Sequence, residues 1–245
     1  MSAPARPARR ARPSPNCGPR PPGAVIDTLV LHYTGMKTAA DALDRLCDPA
    51  AAVSAHYLID EDGTVWSLVD EGERAWHAGL SFWRGARNLN DRSIGIELAN
   101  PGHEFGYRPY PEPQMAALIA LALEICTRHA IPPARVLGHS DIAPLRKQDP
   151  GELFDWPRLA AAGLAVRPGV AADPAGGTAG AARRLAAIGY DTDGVSAGRP
   201  VDGDAALAAA IAAFQRRFRP ARIDGVPDHE TTGLIAAAVP LFEGT

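Results

Sequence analysis

Two histidines of this sequence lie directly after predicted strands, where catalytic and binding sites are common. His32 and His139 each follow an apolar, strand-like run directly. Residues 137–151 combine His139, Lys147 and Asp149 with Gly and Pro, so they are predicted to form a loop rather than a helix or strand. A catalytic zinc site uses three protein ligands and leaves a fourth position open. His32, His139 and Asp149 are therefore candidate metal ligands.

Glu97 is a candidate general base. It lies within the apolar run of residues 93–100, between two small residues that share its face. Next to zinc, this carboxylate could accept a proton from an attacking water. In the alternative interpretation, Glu97 is a buried structural residue paired with an arginine such as Arg92 or Arg74.

Lys147 is a candidate oxyanion-stabilising group. It lies two positions before Asp149, so both side chains project to the same side of an extended loop. A protonated lysine is a poor metal ligand, but its charge is suited to stabilising an oxygen that becomes negative during the reaction.

The elements predicted around these residues indicate an α/β fold. Residues 25–31 and 93–100 are predicted to be strands buried on both faces. Residues 55–60 and 64–69 flank Glu-Asp-Gly and are predicted to form a β-hairpin. Sites in open α/β sheets are built at the carboxyl ends of strands, where His32 lies. Helices are predicted over residues 38–47, 113–129 and 155–164.

Composition limits the classes of protein. The chain has 245 residues, of which 46% are hydrophobic and 22% charged, as in ordinary globular proteins of one or two domains. A net charge of -3 argues against bulk nucleic-acid binding. No stretch approaches the apolar length of a transmembrane helix, so no membrane insertion is expected. Three widely spaced cysteines predict no disulfide framework and fit a reducing compartment.

The chain is predicted to divide into four segments. Residues 1–18 are expected to be a disordered basic arm, without the apolar core of a secretory signal. Residues 19–165 form the predicted catalytic domain, and residues 166–177 a Pro- and Gly-rich linker. Residues 178–245 are Ala-rich and are predicted to form a separate small domain of three helices. A chain that ends near residue 172 is accordingly expected to fold.

Six short motifs carry a family resemblance. They are Leu-His-Tyr-Thr (31–34), Ser-Ala-His-Tyr (54–57), Trp-His-Ala-Gly (76–79), Ser-Ile-Gly-Ile-Glu-Leu (93–98), Gly-His-Ser-Asp (138–141) and Lys-Gln-Asp-Pro-Gly (147–151). Together, and in this order, they resemble the zinc-dependent N-acetylmuramoyl-L-alanine amidases of the AmpD/AmiD type, relatives of the peptidoglycan recognition proteins. The resemblance covers roughly residues 16–164.

The resemblance implies a fold, an activity and residue roles. It implies a central mixed β-sheet with flanking helices and a zinc cleft. The family hydrolyses the amide between N-acetylmuramic acid, or its 1,6-anhydro form, and L-alanine in peptidoglycan fragments, which suggests a role in cell-wall recycling. By this resemblance the Zn²⁺ ligands are His32, His139 and Asp149, the catalytic residue is Glu97, and Lys147 polarises the scissile carbonyl. Candidate substrate contacts are His56, Trp76, His77 and Asn90, and these residues either bind substrate or only pack.

The C-terminal segment resembles the three-helix peptidoglycan-binding module that often accompanies such amidases. The resemblance implies an additional contact to polymeric peptidoglycan. The sequence departs from the usual pattern before the second helix, where Gly203-Asp204 replaces Phe-Gly. In the alternative interpretation, the helices only pack against the amidase domain.

Two other functional classes stay open at this point. A non-catalytic muropeptide-binding protein could share the fold, but the complete set of candidate metal and catalytic residues favours the enzyme. Hydrolysis of another amide on the same scaffold is the third class. Location is predicted to be cytoplasmic, with the periplasm or outer membrane as the alternative.

Overall fold

A six-stranded mixed sheet forms the centre of the N-terminal part of the protein. The computed structural model describes residues 8–169 and 177–243, and predictions for residues 1–7 and 170–176 lie outside this part. The described residues form ten strands, of which six belong to this sheet and four to two small two-stranded sheets. They are β1 (Arg9–Ala11), β2 (Cys17–Pro19), β3 (Thr28–Tyr33), β4 (Tyr57–Ile59), β5 (Val65–Ser67), β6 (Glu73–Ala75), β7 (Phe82–Trp83), β8 (Ala86–Arg87), β9 (Ser93–Leu98) and β10 (Val136–Gly138). The order in the main sheet is β1-β5-β4-β9-β3-β10.

The middle of this sheet is parallel. β9 pairs in parallel with both β4 and β3, and β3 pairs in parallel with β10. β4 and β5 pair antiparallel and form the predicted hairpin, which is confirmed. Leu29, Val30 and Leu31 are completely buried, because β3 lies between two parallel neighbours with both faces covered. The predicted mixed α/β fold is confirmed.

Eight helices surround the sheet or follow it within residues 8–169 and 177–243. They are α1 (Ala39–Cys47), α2 (Gly102–Phe105), α3 (Glu112–His129), α4 (His139–Ile142), α5 (Trp156–Ala161), α6 (Thr178–Ile188), α7 (Gly203–Phe218) and α8 (His229–Phe242). At the start of three helices, a side chain accepts a backbone N–H group: Thr38 for α1, Asp155 for α5 and Asp228 for α8. The prediction that residues 137–151 form only loop was wrong, because they contain the end of β10 and the short helix α4.

The prediction of a disordered arm was also wrong for residues 8–18. β1 adds a parallel strand to the otherwise free edge of β5, and β2 pairs with β6. Ser14 and Asn16 are buried and make hydrogen bonds with backbone carbonyls next to α1. Charge excess suggested disorder, but the basic side chains form ion pairs: Arg9 with Glu124, and Arg12 with Asp44.

The C-terminal helices share a hydrophobic core with the sheet. One continuous cluster joins Val30, Leu137 and Ile142 of the N-terminal part to Leu185 and Phe214 of the C-terminal helices. The three predicted helices are confirmed, but the described residues do not show a helical unit with a separate core. The composition change at residue 166 identified the helices and gave no information on which apolar faces meet.

Candidate metal centre and active site

Strand register places three functional side chains in one row. His32 on β3 is the register partner of Glu97 on β9. Gly138 on β10 is the partner of Leu31, so His139, which follows β10 directly, lies at the level of His32 on β3. All three strands are parallel, and their carboxyl ends therefore meet at one edge of the sheet.

Asp149 completes a triangle of donor atoms with the two histidines. The Nδ1 atoms of His32 and His139 are 2.9 Å apart, and the Oδ2 of Asp149 is 3.0 Å from each of them. The three residues are buried, and their donor atoms could together hold a metal ion. Zinc bonds of about 2.0–2.1 Å at tetrahedral angles separate donors by about 3.3 Å, so the spacing and chemistry of this set fit zinc.

The electrostatics of the triangle favour the forms that bind a metal. Burial, together with the nearby His139, lowers the pKa of His32 to about 4, so its imidazole is neutral at physiological pH. Burial alone would raise the pKa of Asp149, but the adjacent His139 holds it well below its usual range. Neutral imidazole and ionised carboxylate are the forms in which these side chains bind metals.

A chain of hydrogen bonds fixes the tautomer of His32. The Ser93 hydroxyl donates to the carbonyl oxygen of Leu89 at 2.6 Å, so its oxygen accepts from the Nε2–H of His77 at 3.2 Å. The Nδ1 of His77 then lacks a proton and accepts from the Nε2–H of His32 at 3.0 Å. The Nδ1 of His32 is therefore left with its lone pair facing Asp149 and His139.

The ring orientation of His139 has a similar support. Its Nε2–H donates to the carbonyl oxygen of Ala78 at 3.1 Å, which leaves Nδ1 free of a proton. Gly138 precedes this ligand, and a Cβ there would lie 2.8 Å from Pro150 Cδ. The close approach of residues 149–150 to the end of β10 therefore requires glycine, and this approach brings Asp149 to the site.

Gly95 is required for the same kind of reason. A Cβ at this position would lie 2.5 Å from the ring of His77, so only glycine lets that ring reach His32. The sequence suggested that small neighbours leave open space beside Glu97. On the Gly95 side, His77 occupies that space.

Among the described residues, Glu97 does not pair with an arginine, so the alternative of a pair with Arg92 or Arg74 is wrong. Arg92 forms an ion pair with Asp27, and Arg74 with Asp91. The Oε2 atom of Glu97 is buried and has no hydrogen-bond partner among the described residues. A carboxylate oxygen in this state is costly to the fold and is available to a ligand or water.

Lys147 and Glu97 line the same cleft as the donor triangle. The cleft has a volume of about 280 Å³. Burial, followed by the negative charge of Asp149, raises the pKa of Glu97 well above its usual range, whereas the positive charge of Lys147 opposes this shift. No hydrogen bond or ion pair of the Lys147 ammonium occurs with residues in the described ranges, so the charge is available to a ligand.

The predicted substrate contacts fall into two groups. Trp76 and His77 line the cleft, although His77 also makes the contact with His32 described above. The indole Nε1–H of Trp76 is buried without a partner in the described part of the chain. It is therefore a donor available to a bound molecule.

His56 and Asn90 lie behind the cleft wall. His56 is completely buried, and its Nδ1 accepts the backbone N–H of Gly95 at 2.9 Å, so the prediction of a substrate contact is not supported at this position. The Oδ1 of Asn90 accepts the backbone N–H groups of His77 and Ala78 at 3.1 and 2.8 Å. Asn90 thus supports the segment that carries His77, and the ring of His56 lies 5.7 Å from that of His77 in an edge-to-face arrangement.

Sequence reasoning missed one wall of the cleft and one support of His139. Met36, Arg45 and Leu46, from α1 and the turn before it, line the cleft. The apolar face of α1 was visible in the sequence, but its orientation toward His32 was not. Asp141 was part of a recognised motif without an assigned role, and its burial is the structural signal that it has one.

Two family matches agree with this geometry. Residues 22–152 match the family described as N-acetylmuramoyl-L-alanine amidase, and residues 181–235 match a peptidoglycan binding domain. The N-acetylmuramoyl-L-alanine amidase AmiD of Escherichia coli K12 is 39% identical over 234 residues, which cover 86% of this chain and 82% of the relative.

Solved structures show the same fold. A complex of Escherichia coli AmiD with anhydro-N-acetylmuramic acid-L-Ala-D-γ-Glu-L-Lys has a TM-score of 0.79 at 36% identity, covering 92% of this chain and 94% of the other. AmpDh3 from Pseudomonas aeruginosa with anhydromuramic pentapeptide has a TM-score of 0.73 at 34% identity, covering 86% and 90%. Fold, site and sequence agree: the chain belongs to the N-acetylmuramoyl-L-alanine amidase family.

Proposed function

We propose that this enzyme is a zinc amidase that hydrolyses the bond between N-acetylmuramic acid, or its 1,6-anhydro form, and L-alanine in peptidoglycan fragments. The observation that carries the proposal is the convergence of His32, His139 and Asp149 within 3.0 Å of one another, beside Glu97 and Lys147. Anhydromuramoyl peptides are the ligands of both solved relatives described above.

The residues divide the chemistry among them. His32, His139 and Asp149 would hold zinc, whose Lewis acidity polarises an amide carbonyl and makes water more acidic. Glu97 takes the proton of the attacking water through its unpartnered Oε2. The ammonium of Lys147 stabilises the negative charge that develops on the amide oxygen.

The proton then goes to the leaving group. Protonated Glu97 donates it to the nitrogen of L-alanine as the carbon–nitrogen bond breaks, so that a carboxylic acid and a free amine leave the site. The raised pKa of Glu97 makes its carboxylate a stronger proton acceptor in the first step, and the proton that it takes from water is the one it passes to the amine. Trp76 faces the substrate in this proposal and donates its indole N–H to it.

The C-terminal helices add a second contact in this proposal. Residues 178–245 bind polymeric peptidoglycan weakly, while residues 19–165 carry the catalytic groups. The support is the family match of the helices. A second contact on the same chain raises the effective concentration of substrate near the cleft.

A cytoplasmic location, in peptidoglycan recycling, is part of the proposal. Cys17, Cys47 and Cys126 are all free thiols, which is usual in a reducing compartment. Among the described helices, none has the length and apolar character needed to cross a bilayer. Fractionation of the native host tests the location: activity found only in the periplasm or outer membrane would overturn it.

Metal analysis tests the metal site. The purified chain is expected to hold one zinc ion, and chelation should abolish hydrolysis until zinc is returned. His139→Ala removes one ligand and should lose the metal, whereas His229→Ala, in the C-terminal helices, should keep it. Zinc retained in full by His139→Ala would contradict the ligand assignment.

A further inference from the structure

A buried carboxylate lies two residues after a candidate metal ligand. Asp141 is 1% exposed and belongs to α4, whose first residue is His139. Its Oδ2 accepts the backbone N–H of Gly138 at 2.8 Å. This bond closes the turn between β10 and α4, and so fixes the backbone on both sides of His139.

The other partners of Asp141 come from the C-terminal helices and the loop that follows α6. The guanidinium of Arg217 donates from Nη1 to the Oδ2 of Asp141 at 2.7 Å, with both side chains almost fully buried. The hydroxyl of Tyr190 donates to Oδ1 at 2.7 Å. Each oxygen of this carboxylate therefore has a partner that lies at least 49 residues further along the chain.

Arg217 also holds the strand that leads to the ligand. Its Nη2 donates to the carbonyl oxygen of Val136, the first residue of β10, at 3.0 Å. One guanidinium thus joins the beginning of β10 to α4, and His139 lies between these two contacts. A planar group with a fixed fork of donors is suited to this bridge, which a lysine could not reproduce.

Packing keeps both side chains in place. The guanidinium carbon of Arg217 lies 4.0 Å from the centre of the Trp156 ring. The ring of Tyr190 lies 5.0 Å from that of Trp83 in an edge-to-face arrangement. Both contacts cross from the C-terminal helical part to the sheet part, so the two hydrogen bonds to Asp141 are held by a rigid surrounding.

We propose that Tyr190 and Arg217 are positioning residues of the metal site, which act through Asp141 on the backbone that carries His139. The C-terminal helical part is then a structural component of the metal site as well as a contact for the cell wall. This inference rests on the proposed function, because it takes His139 to be a zinc ligand.

A positioning role differs from a merely stabilising one in what it changes. If Tyr190 only stabilises the fold, its loss lowers the melting temperature and leaves the zinc affinity of the folded protein unchanged. If it positions His139, its loss also weakens zinc binding. Outer-shell partners of metal ligands typically change affinity by about 10–100-fold, and the lower end applies here because Asp141 acts through the backbone.

Tyr190→Phe is the decisive variant, because it removes one hydroxyl and keeps the ring in its packing. Thr231→Val is the matched control: it removes a hydroxyl that is equally buried, but one bonded to Gln215 and Arg219 within the helices. Arg217→Met is a second, more severe variant. Zinc affinity of each full-length chain is measured by competition with a chromogenic chelator, and stability by thermal unfolding of the metal-free protein.

Tyr190→Phe is expected to bind zinc about tenfold more weakly than the wild type, with Thr231→Val unchanged. Arg217→Met should lose more, and if it does not fold, Tyr190→Phe decides alone. Equal zinc affinity in Tyr190→Phe and the wild type would overturn this inference and leave the proposed function standing. A wild-type chain that binds no zinc would overturn the metal site itself, and this inference with it.

Discussion

His32 and Glu97 are register partners on adjacent parallel strands, β3 and β9. Register partners in a parallel pair point to the same face of the sheet, so the imidazole of a candidate metal ligand and a carboxylate reach the cleft side by side. The strands carry the two groups on rigid backbone rather than on loops. In the proposed mechanism, this relationship separates the group that holds the metal from the group that moves the proton.

Glu97→Gln is expected to keep zinc and lose turnover. The amide fills the same space but does not accept a proton, so kcat should fall by about 10²–10⁴-fold. Metal content and kcat of the same preparation check this division of roles. Glu61→Gln, a change of an exposed carboxylate paired with Arg108, is the control and should change neither. Loss of zinc from Glu97→Gln would show that Glu97 is itself a ligand.

Lys147→Met is expected to lower kcat by about 10²–10³-fold, as for the loss of one oxyanion-stabilising donor. Zinc content should remain that of the wild type, because the ammonium is not a ligand. The other lysine of the chain, Lys37, provides the matched control Lys37→Met. A rise in KM with unchanged kcat would instead assign Lys147 to substrate binding.

His77→Phe is expected to weaken zinc binding by about 10–100-fold, because the ring keeps its shape but no longer accepts from His32. Ser93→Ala should weaken it less, since it removes only the next partner in the chain of hydrogen bonds. Chelator competition measures both affinities. Unchanged affinity in His77→Phe, with a higher KM, would favour the substrate-contact role that the sequence suggested.

The full chain is expected to unfold in one thermal transition. The C-terminal helices share one hydrophobic cluster with Val30, Leu137 and Ile142. Removal of residues 170–245 would therefore expose these apolar side chains to solvent. The shortened chain should therefore unfold at a lower temperature than the full chain, or aggregate. Calorimetry compares the two chains. Two separate transitions in the full chain, one of them at the melting temperature of the shortened chain, would indicate two independent domains.

Acid stability should depend on the largely buried carboxylate of Glu71. Its carboxylate accepts from the hydroxyl of Tyr57 at 2.7 Å, from Arg128 at 2.5 Å and from His129 at 2.5 Å. Burial raises the pKa of Glu71, but the bonds from Arg128, Tyr57 and His129 outweigh it, and the net pKa is lowered from 4.5.

Because the pKa of Glu71 is lowered in the folded state, the stabilisation by Glu71 decreases as the pH falls. The ionised Glu71 stabilises the fold fully above the unfolded-state value of 4.5, and this contribution is lost as pH falls through the lower folded-state pKa. Glu71→Gln should therefore lower the melting temperature at neutral pH, and the deficit should shrink below pH 4.5. Glu104→Gln, at an exposed position, is the control. A deficit that stays constant with pH would mean that charge is not the cause.

The sequence predicted that His139, His32 and Glu97 belong to one site, because apolar runs identify buried strands and sites follow their carboxyl ends. It did not predict the contact of His77 with His32, although both residues stood out, because 45 residues separate them and only tertiary packing joins them. A glycine at position 95 was the available signal, since a missing side chain leaves room for a neighbouring ring.

For the C-terminal helices, the sequence predicts the elements but not how they pack. Their spacing predicts three helices, but an amphipathic pattern does not say which partner covers the apolar face. Tyr190 and Arg217 look like an ordinary aromatic and an ordinary surface cation in the sequence. Only the structure shows that both side chains are buried and bonded to Asp141, two residues after His139.

Mass spectrometry of the products from anhydro-N-acetylmuramic acid-L-Ala-D-γ-Glu-L-Lys tests the central claim most directly. The zinc-loaded protein is predicted to release two products: anhydro-N-acetylmuramic acid, and a tripeptide that begins with a free L-alanine amine. Chelated protein should leave the substrate intact. Cleavage at another bond, or the same cleavage by metal-free protein, would contradict the account.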